Sequence, residues 1–436
     1  MARIFWAFLA SGLIQVAGLV TGLVAARILG PEGRGALAGI VSVTMAIGAI
    51  SGLSISEAVA YFTARAETVD ERSKILSTGL VCALVLSIGG IITASAVGLF
   101  AFKGDHHRPE AFLFLLNIPL LLATNCFVAS AQSSGGARSW SVLRSTPQAV
   151  NAFLCIVAIA FYRHAGISYF LVSQIAGNVV LLVISIVMLR RRGVVFTGWN
   201  RAQAGTLFGF GVRLHATSVG QNARDHLDRI VMAIFLPNVA LGYYAATTAL
   251  ASSIAIIGVT IDIIAMPNLA RASFEDRKIG AMTLMKISAL VIFCAGLFMS
   301  FASQFLIPVL FGKAFLPAMS LAPVLCAAYA MAALKSVVAS VLKASNRPLS
   351  AGGVEIVTLI VMVFAMPPLV FSIGAFGAGL SALLAQSSAL IIILVIVNRE
   401  YSYGASDWFS VSQEVVVVRQ VISRVWNFRR PLVGNT

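Results

Sequence analysis

The side chains best suited to chemistry are concentrated in one short segment, residues 213–229, which is otherwise apolar. If this segment is a helix, with successive residues about 100° apart, its charged and amide residues share roughly half of the circumference. Ala, Val, Leu and Ile form the other half. Opposite charges also recur four residues apart, a spacing at which they can neutralise one another. The candidate polar face comprises Arg213, Thr217, Gln221, Arg224, Asp225, Asp228 and Arg229.

If the segment crosses a bilayer, the polar face lies deep in the hydrocarbon core, and this position predicts a functional role. Along a helix Asp228 lies about 12 Å from Leu236, and Arg224 about 18 Å. These charges straddle the middle of a core about 30 Å thick, where ionisable groups are costly. Two alternatives stay open: the ion pairs only hold a bundle together, or the charges form a loop after Ala223. The loop is disfavoured because residues 230–265 would then form one helix of about 54 Å.

Three further ionisable residues lie within apolar runs. Glu57 and Asp262 each stand near the end of a run, where solvation by water is the alternative to a functional role. Lys335 lies deeper and has no acidic neighbour in the sequence, so it needs a carboxylate, a carbonyl oxygen or a bound anion. Lys335 is therefore a candidate for anion binding or gating, with packing as the alternative.

No motif in the sequence predicts an enzyme, a cofactor or a metal site. A P-loop, an HExxH motif and a GxSxG motif are all absent. The five cysteines are scattered through apolar runs without a CxxC pair, and their odd number predicts neither a disulfide framework nor a zinc site. We therefore predict no catalytic residue, no metal ligand and no cofactor.

The composition requires lipid as the solvent for most of the chain. Of the 436 residues, 59% are hydrophobic and 11% charged, and the mean hydropathy is +0.94. Soluble proteins carry about 25% charged residues. A membrane span needs about 20 apolar residues and must be helical, because lipid satisfies no backbone polar groups. We predict about twelve spans, near residues 4–26, 36–62, 75–102, 111–133, 145–163, 167–189, 207–236, 241–268, 281–307, 320–343, 351–372 and 376–397.

The basic residues predict the orientation of these spans rather than a nucleic-acid partner, although the net charge is +15. They stand between the spans, not on one face or in one domain. With a cytoplasmic N-terminus, twenty Lys and Arg residues fall on the cytoplasmic side and six on the other. This bias is the one expected of connectors that remain inside the cell. We therefore predict a multi-pass protein of a cytoplasmic membrane with both termini inside.

The sequence also contains an internal duplication. Leu29–Gly35 matches Leu236–Gly242, and the charged segment at 70–75 recurs at 275–279. An even number of spans per repeat lets both repeats enter the membrane in the same direction. The predicted fold class is an all-α polytopic membrane protein, with about twelve helices in two six-helix bundles related by this repeat. The predicted domains are 1–189, the N-terminal bundle; 190–206, a cytoplasmic linker; 207–398, the C-terminal bundle; and 399–436, a basic cytoplasmic tail that is either an interfacial helix or partly ordered.

Two groups of residues resemble a known family. The first is residues 25–35, AARILGPEGRG, followed by Ala60–Arg65, AYFTAR. The second runs from Leu227 to Ala245 and on to Pro267–Arg271. Both resemble the bacterial polysaccharide exporters, the oligosaccharide flippases of the multidrug/oligosaccharidyl-lipid/polysaccharide exporter superfamily, and the likeness covers most of residues 1–400. The lipid II flippases of that superfamily have fourteen spans, which disfavours that branch.

This resemblance implies a flippase that moves undecaprenyl-diphosphate-linked oligosaccharides across the bacterial inner membrane by alternating access of two lobes. The product would be a surface polysaccharide, such as the O-antigen of lipopolysaccharide or an exopolysaccharide. The resemblance also implies that Arg224, Asp225, Asp228 and Arg229 line the cavity that holds the diphosphate and sugars. The expected partners are the lipid-linked oligosaccharide, membrane lipid, a coupling ion (proton or sodium) and the polysaccharide polymerase machinery.

Two other functions remain as alternatives. A cation-coupled multidrug exporter on the same scaffold would need an acidic, aromatic-lined cavity, whereas this candidate cavity has arginines and a lysine beside its aspartates. A membrane-embedded glycan polymerase or ligase is expected to carry a large extracytoplasmic loop. No predicted outer connector exceeds about a dozen residues, which disfavours such an enzyme.

Overall fold

The computed structural model describes residues 2–102, 107–161, 166–404 and 407–408. Within these ranges, the side chains at 2–8, 134–138, 140, 161, 216–225, 263–264, 266–268 and 348 lie outside the description. The predicted tail after residue 408 lies outside the described residues as well. All regular structure in the described part is helical, so the predicted all-α class is confirmed.

Twelve α-helices, one π-helical turn and one 3-10 helix make up the described chain. The residues before the connector at 191–200 are called the N half, and those after it the C half. The helices of the N half are α1 (Ala2–Ser51), α2 (Ile55–Arg65), α3 (Val69–Ala101), α4 (Arg108–Leu115), α5 (Asn117–Phe161) and α6 (Ile167–Arg190). Those of the C half are α7 (Arg201–Phe235), α8 (Asn238–Ala251), α9 (Ser253–Arg271), α10 (Phe274–Leu306), the π-helical turn Ile307–Phe311, the 3-10 helix Lys313–Leu321, α11 (Ala322–Ala344) and α12 (Pro348–Tyr401).

Nine helical segments of the described residues are long and apolar enough to cross a membrane. Two of them, Leu9–Ser51 and Leu349–Tyr401, contain 43 and 53 residues, about twice the length that one crossing requires. Each is kinked near its middle, α1 at Gly30 (φ 67°) and α12 at Gly374 (φ 60°). Glycine tolerates this left-handed backbone, so each long helix can supply two crossings. A total of twelve spans remains a prediction.

The duplicated charged segments begin equivalent helices in the two halves. At the start of α3 the Glu71 backbone N–H donates to Thr68 Oγ1 over 3.2 Å. At the start of α10 the Asp276 backbone N–H donates to Ser273 Oγ, also over 3.2 Å. Both are N-caps, which satisfy a helix N–H that would otherwise lack a partner. The repeat in the sequence is therefore a repeat of local structure.

In each half, the arginine four residues after the N-cap hydrogen-bonds to carbonyl groups at the end of the preceding helix. Arg72 Nη2 donates to the Ala66 carbonyl over 3.1 Å. Its counterpart Arg277 donates from Nε to the Leu269 carbonyl over 2.9 Å and from Nη2 to the Ala272 carbonyl over 3.0 Å. Carbonyls at a helix C-terminus lack intrahelical partners and favour a positive charge. The duplicated segment thus joins two helices in each half.

The two halves touch most closely where the duplicated glycines cross. A Cβ atom on Gly35 of α1 would lie 1.7 Å from the Asn238 carbonyl oxygen at the start of α8. A Cβ on Gly242 of α8 would lie 1.9 Å from the Pro31 carbonyl oxygen. Pro31 and Asn238 hold equivalent places in the repeat, so the contact is reciprocal. We call this part of the molecule, residues 27–35, 236–242 and 307–321, the Pro31 end.

Further contacts close the Pro31 end. The Arg27 guanidinium at the end of the first half of α1 donates to the carbonyls of Val309 and Leu310 in the π-helical turn. Beside it, Phe315 of the 3-10 helix lies edge-on to Tyr243 of α8, with ring centroids 6.1 Å apart. The N half and the C half are therefore held together here by backbone contact and hydrogen bonds, and the aromatic pair packs the C-half side of this contact.

The connector between α6 and α7 lies along α3 at the opposite end. The Val195 N–H donates to Ser73 Oγ over 3.1 Å, and the Thr197 N–H donates to Ser77 Oγ over 2.9 Å. Two turns of α3 thus satisfy backbone groups that an extended segment exposes. Because Arg192 also lies here, we call this part, residues 65–74, 190–201, 271–278 and 343–348, the Arg192 end.

We predict that Gly35→Ala and Gly242→Ala each lower the thermal unfolding midpoint of the purified protein in detergent. The added methyl must push two backbones apart, and overpacking of this kind costs about 1–3 kcal/mol. Gly18→Ala, in the same helix as Gly35, is the matched control because its Cβ would have no neighbour within 4 Å. Its midpoint should be unchanged or slightly raised, since alanine is the better helix former. Equal midpoints for all three variants would contradict the close crossing.

Candidate functional site

The charged segment singled out in the sequence forms part of one continuous helix. Helix α7 runs from Arg201 to Phe235, and its first turn is capped by Asn200 Oδ1, which accepts from the Gln203 N–H over 3.0 Å. The prediction of a helix through this segment is confirmed, and the alternative of a loop beginning after Ala223 is wrong. The charges at 228–229 are therefore carried on a helix whose backbone hydrogen bonds are made internally.

Helix α7 contacts both halves of the molecule. Near the Arg192 end a Cβ on Gly211 would lie 2.6 Å from the Leu53 carbonyl oxygen, just before α2. Near the Pro31 end the ring of Phe235 lies 4.6 Å, centroid to centroid, from that of Phe371 on α12. The described side chains in the second half of α7, residues 226–235, consequently lie between the N half and the rest of the C half.

Asp228 is buried and accepts hydrogen bonds from Tyr244 and from the backbone of Arg229. The Tyr244 hydroxyl on α8 donates to Oδ2 over 2.7 Å, and the Arg229 N–H donates to Oδ1 over 2.8 Å. Only 8% of the residue is exposed, so these two bonds replace water as the solvation of the carboxylate. The hydrogen bond to Tyr244 fixes α7 to α8.

A cavity of about 490 Å³ opens on the C-half side of α7. Its polar lining brings together a carboxylate, a guanidinium, two phenol groups, an amide and a hydroxyl, and alanines form much of the rest. We call it the C-half cavity. Its polar residues are Asp228, Arg229, Tyr244, Tyr329, Ser336 and Gln386.

A second cavity, of about 410 Å³, lies on the N-half side. Its polar lining differs in kind: it contains two arginines, a histidine and four carboxamides, and no Asp or Glu among the described residues that line it. We call it the N-half cavity. Its polar residues are Thr21, Arg34, Gln148, Asn151, Gln174, Asn178, His226 and Arg229. Arg229 lines both cavities.

Glu57 and Asp262, which are near the ends of predicted spans, lie outside both linings. Glu57 is exposed and accepts a hydrogen bond from Ser56 Oγ over 2.9 Å, as expected of a group solvated near the end of a span. Asp262 accepts from Ser336 Oγ over 2.6 Å. Because Ser336 lines the C-half cavity, Asp262 is one hydrogen bond away from it.

The structure gives a partial account of the remaining α7 residues. Arg213 is exposed, and its Nε donates to the Gly209 carbonyl of its own helix over 2.9 Å. The predicted residues Gln221, Arg224 and Asp225 have helical backbones, and their side chains lie outside the described part. Their roles in the cavity remain predictions.

Lys335 has the carboxylate that its buried position requires. Its Nζ lies 2.9 Å from Glu355 Oε2 on α12 and donates to Thr358 Oγ1 over 3.3 Å. The side chains of Lys335 and Glu355 are 3% and 15% exposed, so the pair is largely withdrawn from solvent. Neither residue lines a cavity described above. Of the three partners considered from the sequence, the carboxylate is the one observed.

Several residues of the N-half cavity were not singled out from the sequence. The predicted spans 4–26 and 36–62 leave Arg34 in the connector between them, but the helix resumes at once after the kink at Gly30 and places Arg34 one turn inside it. The duplication contained the signal, since the matching position in the second repeat is Leu241, a buried apolar residue. The four carboxamides lie on two helices, and their convergence depends on how α5 packs against α6.

The chain is all-helical in its described part and combines apolar membrane-spanning segments with charged side chains between two cavities. The family model described as "Polysaccharide biosynthesis protein" matches residues 24–320. The chain therefore belongs to the polysaccharide biosynthesis protein family. This finding confirms the resemblance to polysaccharide flippases noted in the sequence.

Solved structures of transporters share the fold. The lipid II flippase MurJ, in an inward closed conformation, superposes with a TM-score of 0.74 at 13% identity, covering 96% of this chain and 92% of that one. An inward-facing multidrug resistance MATE family transporter of the MOP superfamily gives 0.71 at 13% identity, covering 89% and 94%. The MATE multidrug transporter DinF-BH, solved with a bound ligand, gives 0.64 at 16% identity, covering 94% and 96%.

No curated protein matches the chain. The family and the shared fold establish a multi-pass helical protein of the polysaccharide biosynthesis family with the fold of these transporters. The predicted all-α polytopic fold class is thereby confirmed.

We predict that Lys335→Gln lowers the thermal unfolding midpoint because it leaves Glu355 in a poorly solvated site without its cation. Removing one partner of a buried ion pair costs about 3–5 kcal/mol. Adding Glu355→Gln should recover much of the loss, since two amides can hydrogen-bond without charge. Lys74→Gln is the matched control, because its pair with Asp70 is exposed and such pairs contribute little. A Lys335→Gln midpoint equal to that of the control would show that the pair is unimportant for stability.

Proposed function

We propose that the protein is a flippase that moves undecaprenyl-diphosphate-linked oligosaccharides across the bacterial inner membrane by alternating access. It would supply units for a surface polysaccharide, such as O-antigen or exopolysaccharide, that the polymerase machinery then joins. Both termini, and with them the Arg192 end, would face the cytoplasm, in keeping with the excess of Lys and Arg there. The two halves would act as the two lobes.

The observation that carries this proposal is the place of Arg229 between two polar cavities of different character. A lipid-linked oligosaccharide likewise has two polar parts of different character, a diphosphate and a chain of sugars. Its diphosphate needs charge-assisted donors, which arginine supplies bidentately. Its sugars need groups that both donate and accept hydrogen bonds, as carboxamides and hydroxyls do. The prenyl chain can remain in lipid while the polar parts occupy the interior.

The contacts between the halves support an alternating-access cycle. Apart from those of α7, these contacts run through α1, which meets α8, α9 and the turns that follow α10. The closest of them lie at the Pro31 end, where Gly35 and Gly242 cross. Release of cargo at that end would require this crossing to separate, and α7, which contacts both halves, would connect the two movements.

A coupling ion, proton or sodium, would find its most suitable site in the C-half cavity. There the Asp228 carboxylate faces the Tyr244 hydroxyl, with Gln386 in the same lining. A carboxylate with oxygen-bearing neighbours can take up either cation, and a carboxylate withdrawn from water is the usual place for ion coupling in membrane proteins.

The same cavity supports a second candidate function, export of cationic drugs. Asp228, Tyr244 and Tyr329 form an acidic, aromatic lining of the kind that binds organic cations. The arginines of the N-half cavity oppose this function, because they would repel a cation that crossed the interior.

A reconstitution experiment tests the two functions together. The protein is placed in liposomes whose outer leaflet contains a lipid-linked oligosaccharide, and transfer to the inner leaflet is measured as protection from an added glycosidase. We expect transfer by the wild type and a loss of at least about tenfold in Arg229→Ala, which lacks a charge-assisted donor. Asp228→Asn should also transfer more slowly, since it loses the carboxylate proposed for coupling.

Arg201→Ala is the matched control, because Arg201 is an exposed arginine on the same helix. It should transfer normally. Absence of transfer by the wild type, combined with uptake of a cationic dye that Asp228→Asn abolishes, would replace the flippase by the drug exporter. Normal transfer by Arg229→Ala at equal protein levels would remove Arg229 from the site.

A further inference from the structure

Four carboxamide side chains converge in the N-half cavity. Gln148 and Asn151 come from α5, and Gln174 and Asn178 come from α6. Each carboxamide offers donors as well as an acceptor. Asn151 Oδ1 accepts from Ser173 Oγ over 2.7 Å. Within the described residues the other three side chains make no hydrogen bond, so their amide groups are available to a ligand.

Arg34 supplies a guanidinium to the same cavity, where no carboxylate is found among the lining residues that the structure describes. Its Nε is buried and has no hydrogen-bond partner in the part of the chain that the structure describes. No carboxylate belongs to the described lining, which contains Arg229 and His226 instead. A buried cation normally pairs with an anion, because otherwise its lost hydration is not replaced. The missing partner is therefore expected to come from the ligand.

The carboxamides distinguish between two sources of negative charge. A diphosphate only accepts hydrogen bonds and is tied to a prenyl chain that belongs in lipid. A sugar hydroxyl both donates and accepts, as a carboxamide does. The lining helices α1, α5, α6 and α7 surround a volume of about 410 Å³, within the usual range for a pocket that holds a small organic ligand. The lining thus fits a sugar that itself carries the charge.

We propose that the N-half cavity is a subsite for an acidic sugar of the translocated glycan, such as a hexuronic acid, with its carboxylate at Arg34 and its hydroxyls on the carboxamides. This inference rests on the proposed function, because the cargo must be a glycan. It adds a substrate class: the protein selects anionic over neutral oligosaccharides. Arg34 can bind the carboxylate through two parallel hydrogen bonds.

Direct binding to the purified full-length protein tests this subsite without requiring transport. D-glucuronate, D-glucose and inorganic pyrophosphate are each titrated into the protein in lipid nanodiscs, and binding is followed by saturation-transfer NMR. We expect glucuronate to bind more tightly than glucose. Arg34→Gln should weaken glucuronate at least about tenfold and leave glucose unchanged, whereas Arg34→Lys should retain part of the preference.

A second variant separates the subsite from a folding defect. Asn178→Leu keeps the charge and removes one carboxamide, so it should weaken glucuronate and glucose by a similar factor. Arg201→Gln, an exposed arginine of α7, is the matched control and should bind as the wild type does. Equal binding of glucose and glucuronate, or loss of both in Arg34→Gln, would overturn the proposal. Pyrophosphate binding that exceeds glucuronate binding and depends on Arg34 would also overturn it, in favour of a phosphate site.

The outcomes distinguish this inference from the proposed function. If glucuronate binds through Arg34 but no lipid-linked oligosaccharide is transferred, the flippase assignment fails and the anionic sugar site stands. If wild type and Arg34→Gln transfer acidic and neutral lipid-linked oligosaccharides at the same rates, the flippase stands and the acidic-sugar selectivity fails.

Discussion

The structure depends on one constraint: a polar group inside a bilayer must find its partner within the protein. Helix α7 meets this constraint for its backbone by remaining unbroken from Arg201 to Phe235. The Asp228 carboxylate finds its partner in the hydroxyl of Tyr244 on the next helix. That hydrogen bond fixes the rotation of α7 about its axis, and the adjacent residue Arg229 consequently faces the space between the halves. The position of both cavities follows from this rotation, because the second half of α7 forms a wall of each.

The fold could be predicted from the sequence to the extent that its causes are local. Apolar length requires membrane helices, and the N-cap residues Thr68 and Ser273 begin α3 and α10 through bonds to their own neighbours. The duplicated segment Leu29–Gly35 was recognisable because its match, Leu236–Gly242, is also a run of consecutive residues. The number of crossings was harder to fix, because a glycine kink in α1 and another in α12 let two spans follow one another without a loop. Length and composition cannot separate such spans, since no polar connector marks the boundary.

The candidate site could be predicted only in part, because most of its contacts join distant residues. Asp228 and Arg229 were evident because a charge is rare in an apolar run. The partner of Lys335 was not evident, since Glu355 lies on the next helix and the two meet only through the packing of α11 against α12. Arg34 was hidden for a different reason. A basic residue beside a proline and two glycines is typical of a connector, and only the resumption of the helix after Gly30 places Arg34 beside a cavity.

The contrast between the two cavities bears on how a transporter can bind its cargo and still release it. In the C-half cavity Asp228 is already hydrogen-bonded to the protein, so its solvation does not depend on a ligand. In the N-half cavity the buried Nε of Arg34 has no such bond among the described residues, and an anion improves the solvation of that charge. The gain is confined to the closed arrangement, because water can solvate the same guanidinium when the cavity opens. An anionic cargo would therefore bind more strongly to a conformation that excludes water than to one that admits it. A difference in affinity between two conformations is what allows a ligand to shift the equilibrium between them.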